Sequence, residues 1–461
     1  MNLKAPTCVL AGILGWVALP GCDLSVPDLN NPGYDQLQDS PTAALVNSAA
    51  GGLQVGIRGG KAATTGLVNQ LGILGRESYD FDPSDSRFVT EELEGLLNRS
   101  TAFGGVFWAA NFANIQLGFA ILHALDKVSD FSDEDKAGLR GFVYTMQALD
   151  FLTVVITHDT TGAPIDTDRP LGAELAPFVS KDEVYAKIQD LLDQAASELA
   201  RAGDAFTFKL NTGFKGFSTP AAFLKFNQAI KARVAAYQKE YAAALEALGG
   251  SFLDDDPAKL SFTTGVYYPY STGAGDVTNA LINPAIYAHP ALLSDVELQA
   301  DGKTPDARYT AKVADMGKTV SFPTDDALKT TIKFKMYTNV TPVALIRNEE
   351  LILLKAEALW FTGDKPGALA ELNLVRTLSG KLPALTAEPA DDTAFEDALL
   401  VERRYSLLFE GGHRWIDLRR FGRELPLDSP KHTRNVRFPV PQAECDARPG
   451  EPACAITSNS P

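Results

Sequence analysis

Apolar and small residues recur at spacings of three and four over long stretches of this chain, the pattern of helices that bury one face. The spacing predicts helices at about residues 39–57, opened by Ser40 and Pro41, and at Glu91–Leu125, Asp133–Val155, Asp182–Ala202 and Pro220–Leu248. A last helical group opens near Val343 and runs to about residue 422. Such helix pairs cannot bury their faces alone, so the blocks at about 133–248 and 343–422 are expected to stack into one scaffold. Between them the period lapses. Residues 249–342 are rich in Gly, Pro, Thr, Ser and aromatic side chains and are too long for a simple connection. Irregular insertions of that length are often binding loops, so function is expected there.

The stretch at 346–424 carries the densest pattern and predicts three or four packed helices. Arg347, Glu350, Ile352, Leu353, Ala356 and Glu357 fall at helical spacing, and Gly363, Asp364 and Pro366 end that helix and start another. The result resembles a tetratricopeptide hairpin, as does KARVAAYQKEYAAALEAL around Tyr237 and Tyr241. The charges of Arg347, Glu350, Glu402, Arg403 and Asp417 admit two readings, carboxylates of a hydrolase or ion pairs within the helical body. Mutual neutralisation with satisfied hydrogen bonds favours the pairs, formed among these residues themselves. His413, Arg414 and Trp415, after a Gly-Gly turn, are read as anchors of the last hairpin.

The same residues carry a family motif. Arg347–Ala358, Leu372–Arg376 and Glu402–Leu418 resemble R-x-x-E-x-L-L-x-x-A-E-A, L-N-x-V-R and E-R-R-x-E-L-x-F-E-G-x-R-W-x-D-L of the SusD/RagB family of nutrient-uptake lipoproteins. Phe438–Glu444 resembles the family's F-P-I-P-x-x-E. Ser406 departs from the pattern, standing where the family has Glu, and one extra glycine lengthens the turn at Gly411 and Gly412. The resemblance implies a mainly α fold, a tetratricopeptide-like hairpin scaffold with long irregular ligand-binding insertions. It also implies a surface-exposed outer-membrane protein without enzymatic activity or cofactor. Such a protein binds a glycan, oligosaccharide or peptide and delivers it to a SusC-like TonB-dependent barrel. The alternatives are a protein-binding tetratricopeptide scaffold and a lipid-anchored glycoside hydrolase.

The N-terminus agrees with that location. One lysine, a short apolar run and Leu19-Pro20-Gly21-Cys22 read as a signal peptide over residues 1–21 ending in a lipobox, with Cys22 as the lipid-bearing first residue of the mature protein. Residues 22–36, rich in Pro and Asn, are expected to be an extended tether, and 37–461 one domain with the insertion at about 249–342. Cys8 leaves with the signal, so Cys445 and Cys454 remain and are expected to pair in a disulfide. The net charge of −16 argues against nucleic acid as a partner.

Two clusters are candidates for ligand contact. Tyr267, Tyr268 and Tyr270 lie among turn formers, with Tyr287 further on, and tyrosines on a rigid turn can stack on a sugar ring and hydrogen-bond it. Packing against the scaffold is the alternative for each. Arg76, Tyr79, Asp80 and Arg87, with Asp82 and Asp85 between them, read as a pocket rim facing those tyrosines. Asp80, Asp82, Ser84, Ser86 and Glu91 have the spacing of a calcium loop, but Asp85 occupies the place of its glycine, and no metal is expected. Trp108 and Asn111, by resemblance to the family, neighbour the ligand face. No G-x-S-x-G, H-E-x-x-H, P-loop or strand-linked G-x-G-x-x-G motif occurs.

Overall fold

Side-chain caps decide where the long helices begin. The computed structural model describes residues 34–170 and 172–460, so the signal, Cys22 and most of the tether lie outside the described residues. After a short α1 (Tyr34–Asp39), which takes up the end of the segment expected to be tether, Thr42 accepts from the Leu45 N–H at 3.2 Å and starts α2 (Ala43–Arg58). Next come α3 (Leu67–Leu74), β1 (Ser78–Asp80), α4 (Arg87–Thr90) and α5 (Ala109–Leu125). The helix expected over Glu91–Leu125 therefore exists only from Ala109. Residues 91–108 are largely turns and bends, and Phe107 has a φ of +60°, which a continuous helix does not allow.

Ser132 and Ser180 make reciprocal caps with Asp135 and Glu183 and so start α6 (Asp133–His158) and α7 (Lys181–Leu199); between these helices β2 (Ala163–Pro164) pairs antiparallel with β3 (Phe178–Val179). Helix α6 is long and apolar enough to cross a membrane, yet 83% of its most apolar window is buried inside the protein, where it packs on α5 and α7 as the core helix. Pro220 opens α8 (Pro220–Tyr237). The hairpin expected around Tyr237 and Tyr241 is present: the chain turns at Lys239, whose φ is +63°, into α9 (Tyr241–Gly249).

The insertion is more regular than its composition suggests. It holds β4 (Gly265–Tyr268), β5 (Ile286–Ala288), α10 (Ala291–Ser294), α11 (Ala307–Lys312) and a long hairpin of β6 (Val313–Phe322) and β7 (Asp325–Phe334). Along β7, buried Leu328, Thr330 and Ile332 alternate with exposed or half-exposed Lys329, Thr331 and Lys333, a period of two that a helical reading does not detect. Near Val343 the chain forms not a helix but β8 (Val343–Arg347), antiparallel to β4, while β5 pairs with β1.

The helical C-terminal block follows as α12 (Asn348–Phe361), α13 (Lys365–Leu378), α14 (Asp392–Ser406) and α15 (His413–Arg420), with α16 (Gln442–Ala447) beyond them. Trp360 stacks on Phe395 at 4.3 Å, and Trp415 is fully buried, an anchor as expected. The charged residues are ion-paired, but mostly with partners the sequence did not indicate. Arg403 meets Asp417 at 2.7 Å, whereas Glu350 meets Arg233 of α8 at 2.6 Å, Arg347 meets Glu410 at 2.8 Å, and Glu402 meets Arg308 and Arg376 at 2.6 and 2.9 Å. Each of these pairs joins different elements, so the buried charges clamp the blocks together. Cys445 of α16 is disulfide-bonded to Cys454.

Candidate functional site

Three clefts adjoin one another along the insertion. The first, about 600 Å³, lies between the turn at Thr212–Phe217 and β4 and is walled by Phe217, Tyr267, Pro269 and Tyr270. The second, about 340 Å³, shares Thr263, Tyr267 and Pro342 with the first and has Lys312, Arg347, Glu349 and Glu410 at its base. The third, about 590 Å³, shares Tyr337 with the second and lies between the 281–287 segment and the β6–β7 hairpin, with Tyr287, Phe334, Lys318 and Lys333 in its lining.

Backbone pairing sets these walls. Gly265 and Gly213 are required by close approach, since a Cβ on Gly265 would stand 2.3 Å from the Ile346 carbonyl oxygen and one on Gly213 would stand 1.9 Å from that of Tyr267. The Tyr267 hydroxyl donates to the Thr263 carbonyl at 2.6 Å, holding its ring at the shared wall. The loop after Tyr270 is pinned by Arg58, which donates to the Pro269 carbonyl at 2.9 Å and pairs with Asp276 at 2.6 Å. At the base of the second cleft, burial works to raise the carboxyls of Glu349 and Glu410. Arg347 and Lys312 outweigh it, bringing Glu349 down to about 2 and holding Glu410 below its ordinary value. Both stay ionised, which is the opposite of what a general acid needs.

The sequence-predicted contacts divide. Tyr267, Tyr270 and Tyr287 line the adjoining clefts. Tyr268, on the other face of β4, instead lines a small internal cavity of about 60 Å³ with its ring 5.9 Å from the Lys61 ammonium. The rim expected at residues 76–87 is corrected. Strand β1 is buried along its length against α3, α4 and β5, so Tyr79 is fully buried and stacks on Phe81 at 5.1 Å. Arg76, also buried, pairs with Asp428 at 3.1 Å. Asp80 accepts from the Asn69 amide at 2.8 Å, and burial pushes its carboxyl up to about 6. Arg87 is exposed but committed to Asp85 at 2.7 Å and to the face of Phe103. The segment does not face Tyr267–Tyr270; it pairs with β5 and sets Tyr79 opposite Tyr287. Trp108 lines a separate cleft of about 520 Å³ beside α5, yet it is 3% exposed, stacked on Phe178 at 5.5 Å, with its indole N–H donating to Glu444 at 3.4 Å. Asn111, one turn on, is buried and lines none of the clefts described. Phe217, Phe334, Tyr337, Lys318 and Lys333 were not legible as site residues; the alternation along β7 is the signal that points to two of them.

The profile of the SusD family matches residues 300–436, from the end of the insertion through α15. Among solved structures, a SusD superfamily protein from Bacteroides vulgatus superposes with a TM-score of 0.66 at 15% identity, covering 90% of this chain and 98% of that one. The fold is SusD-like. A SusD-like carbohydrate binding protein from Bacteroides fragilis gives a TM-score of 0.67 at 15% identity, over 90% of this chain and 100% of its own. Surface glycan-binding protein A from Bacteroides thetaiotaomicron, in complex with laminarihexaose, gives 0.65 at 15% identity, over 91% and 100%. No curated protein matches. At these identities the shared property is the SusD-like fold, mainly helical and spanning nearly all of the chain.

Proposed function

We propose that this protein captures a carbohydrate along the three adjoining clefts and does no chemistry on it. The observation that carries the reading is the row itself: aromatic side chains at Tyr267, Tyr287 and Tyr337, set in clefts that share residues, offer successive sugar rings a face to stack on, with Tyr270 buried behind the first cleft and Phe334 stacked on Phe409. The similarity in fold to a glycan-binding protein solved with laminarihexaose supports the same class of ligand. The SusD-like fold and the Leu19-Pro20-Gly21-Cys22 sequence support the wider role, a lipoprotein of the outer-membrane surface that passes its ligand to a SusC-like TonB-dependent barrel.

Calorimetry against a panel of oligosaccharides tests capture. Tyr267→Ala should weaken binding by about 1–3 kcal/mol with little change in melting temperature, because truncating an aromatic anchor costs that much. Wild-type affinity in that variant would move the site elsewhere, and release of shorter sugars would replace capture with hydrolysis. For location, Cys22→Ala should shift the protein from the detergent-phase membrane fraction to the soluble one, since several acyl chains are what make such an anchor stable. Pull-down of the native lipoprotein should recover the barrel.

A further inference from the structure

The third cleft differs from the rest of the molecule in charge. The chain as a whole carries −16, and some of its lysines sit against carboxylates, as Lys181 does with Asp159, Lys231 with Asp193, and Lys355 with Asp255 and Glu371. The β6–β7 hairpin instead gathers several without such partners. Strand β7 puts Lys329 and Lys333 on its exposed side, with Lys335 just past its end, because Leu328, Thr330 and Ile332 take the buried side and side chains alternate along a strand. Lys318 stands on β6 where the register shifts between Asp315 and Val320. The carboxylates of this region are engaged elsewhere, Asp325 with the His432 ring and Glu410 with Lys312; among the described residues Lys318, Lys329, Lys333 and Lys335 have no carboxylate partner.

Two of these lysines, Lys318 and Lys333, are among the residues that line the cleft of about 590 Å³, with Tyr287 and Tyr337; Phe334, next to Lys333 on β7, turns to the other side and stacks on Phe409 at 4.2 Å. The one carboxylate in the lining, Asp315, accepts from the Gly317 N–H at 2.9 Å and leaves the cleft with an excess of positive charge. Aromatic faces beside uncompensated cations suit a ring that is apolar on one side and carries a negative group at its edge. Resting on the carbohydrate reading above, we infer that the third cleft selects an anionic sugar unit, one bearing a carboxylate or a sulfate, within the captured glycan. Lysine fits this task as a mobile point charge that follows the anion, without the fixed fork by which arginine recognises one geometry.

The test compares three ligands by calorimetry at low salt: a trimer of galacturonic acid, the same trimer as its methyl ester, and a sulfated trisaccharide. The uronate or the sulfated sugar should bind on the order of fivefold more tightly than the neutral ester, the gain expected from two exposed charge pairs. The preference should shrink as sodium chloride is raised. In Lys318→Gln with Lys333→Gln it should vanish, the charged and neutral ligands then binding alike, with the melting temperature unchanged because both side chains are on the surface. Which of the two acidic ligands gains more identifies the anion. Equal binding of all three, or a preference that survives in the double variant, overturns the inference and leaves carbohydrate capture standing. Failure of all three to bind overturns the inference, and carbohydrate capture falls with it only if the wider panel also fails to bind.

Discussion

Replacing Glu350 with Gln keeps the shape of the side chain and removes its charge, leaving the Arg233 guanidinium buried without its counterion. Arg233 donates to Glu350 from Nε at 2.7 Å and from Nη2 at 2.6 Å, and Nη2 also reaches the Leu345 carbonyl at 2.7 Å, so α8, β8 and α12 meet at one point. Two routes give the magnitude. Breaking a buried pair from one side costs roughly 3–5 kcal/mol. Independently, burial works to raise the Glu350 carboxyl, but Arg233, with His413 and Arg403, brings it from 4.5 to about 2. A fall of that size corresponds to about 3 kcal/mol of preference for the charged form. Glu350→Gln should therefore lose about 3 kcal/mol in urea unfolding at pH 7, while Glu350→Leu combined with Arg233→Met should recover most of it, since a well-packed apolar pair of similar volume is often neutral. A loss below about 1 kcal/mol in the single variant would refute the clamp and reopen a functional role for this carboxylate.

Two further outcomes follow from the structure. Replacing Cys445 and Cys454 by Ser opens a loop with a sequence separation of 9 and should cost about 2–3 kcal/mol at most, read as a lower midpoint in denaturant; two free thiols by peptide mapping of the native protein would contradict the bond. His158 is buried and its ring is pushed down to about 4, so it stays neutral in the folded protein while the unfolded chain takes up a proton below about 6.5. Its contribution is intact at neutral pH and is lost progressively as pH falls from about 6.5 to about 4, by about 3 kcal/mol; stability curves of wild type and His158→Gln that run parallel through that window would disprove it.

What was legible in the sequence was what local periodicity and motif encode. The helices over Asp133–His158 and Lys181–Leu199 announce themselves through an apolar face and a serine cap, and the segments at Arg347–Ala358 and Glu402–Leu418 through their pattern. The break set by a single backbone dihedral at Phe107 leaves no trace in an apolar pattern because the residue suits a helix by composition, whereas the turn at Lys239 falls inside the hairpin that the small and large residues around Tyr237 and Tyr241 announce. The ion pairs were read as to kind but not as to partner, since Arg233 and Glu350 are separated by 117 residues. For the site, Tyr267, Tyr270 and Tyr287 could be picked out from their company of turn formers. Arg76, Tyr79 and Asp80 could not be ruled out by the same reasoning, because a polar and aromatic run looks alike whether water or β5 lies against it.

The pairing of β4 with β8 ties the ligand wall to the most recognisable helix of the fold through main-chain hydrogen bonds, which carry no side-chain identity. Position and preference are thereby separated in this molecule. Provided Gly265 and Gly213 keep the close approaches, the residue at 267 can be exchanged without shifting where its Cβ is presented. A library confined to the half-exposed cleft positions of β4 and to the outward side of β7 would thus vary the ligand while leaving the scaffold untouched. The helical body then acts as a fixed mount for an exchangeable wall.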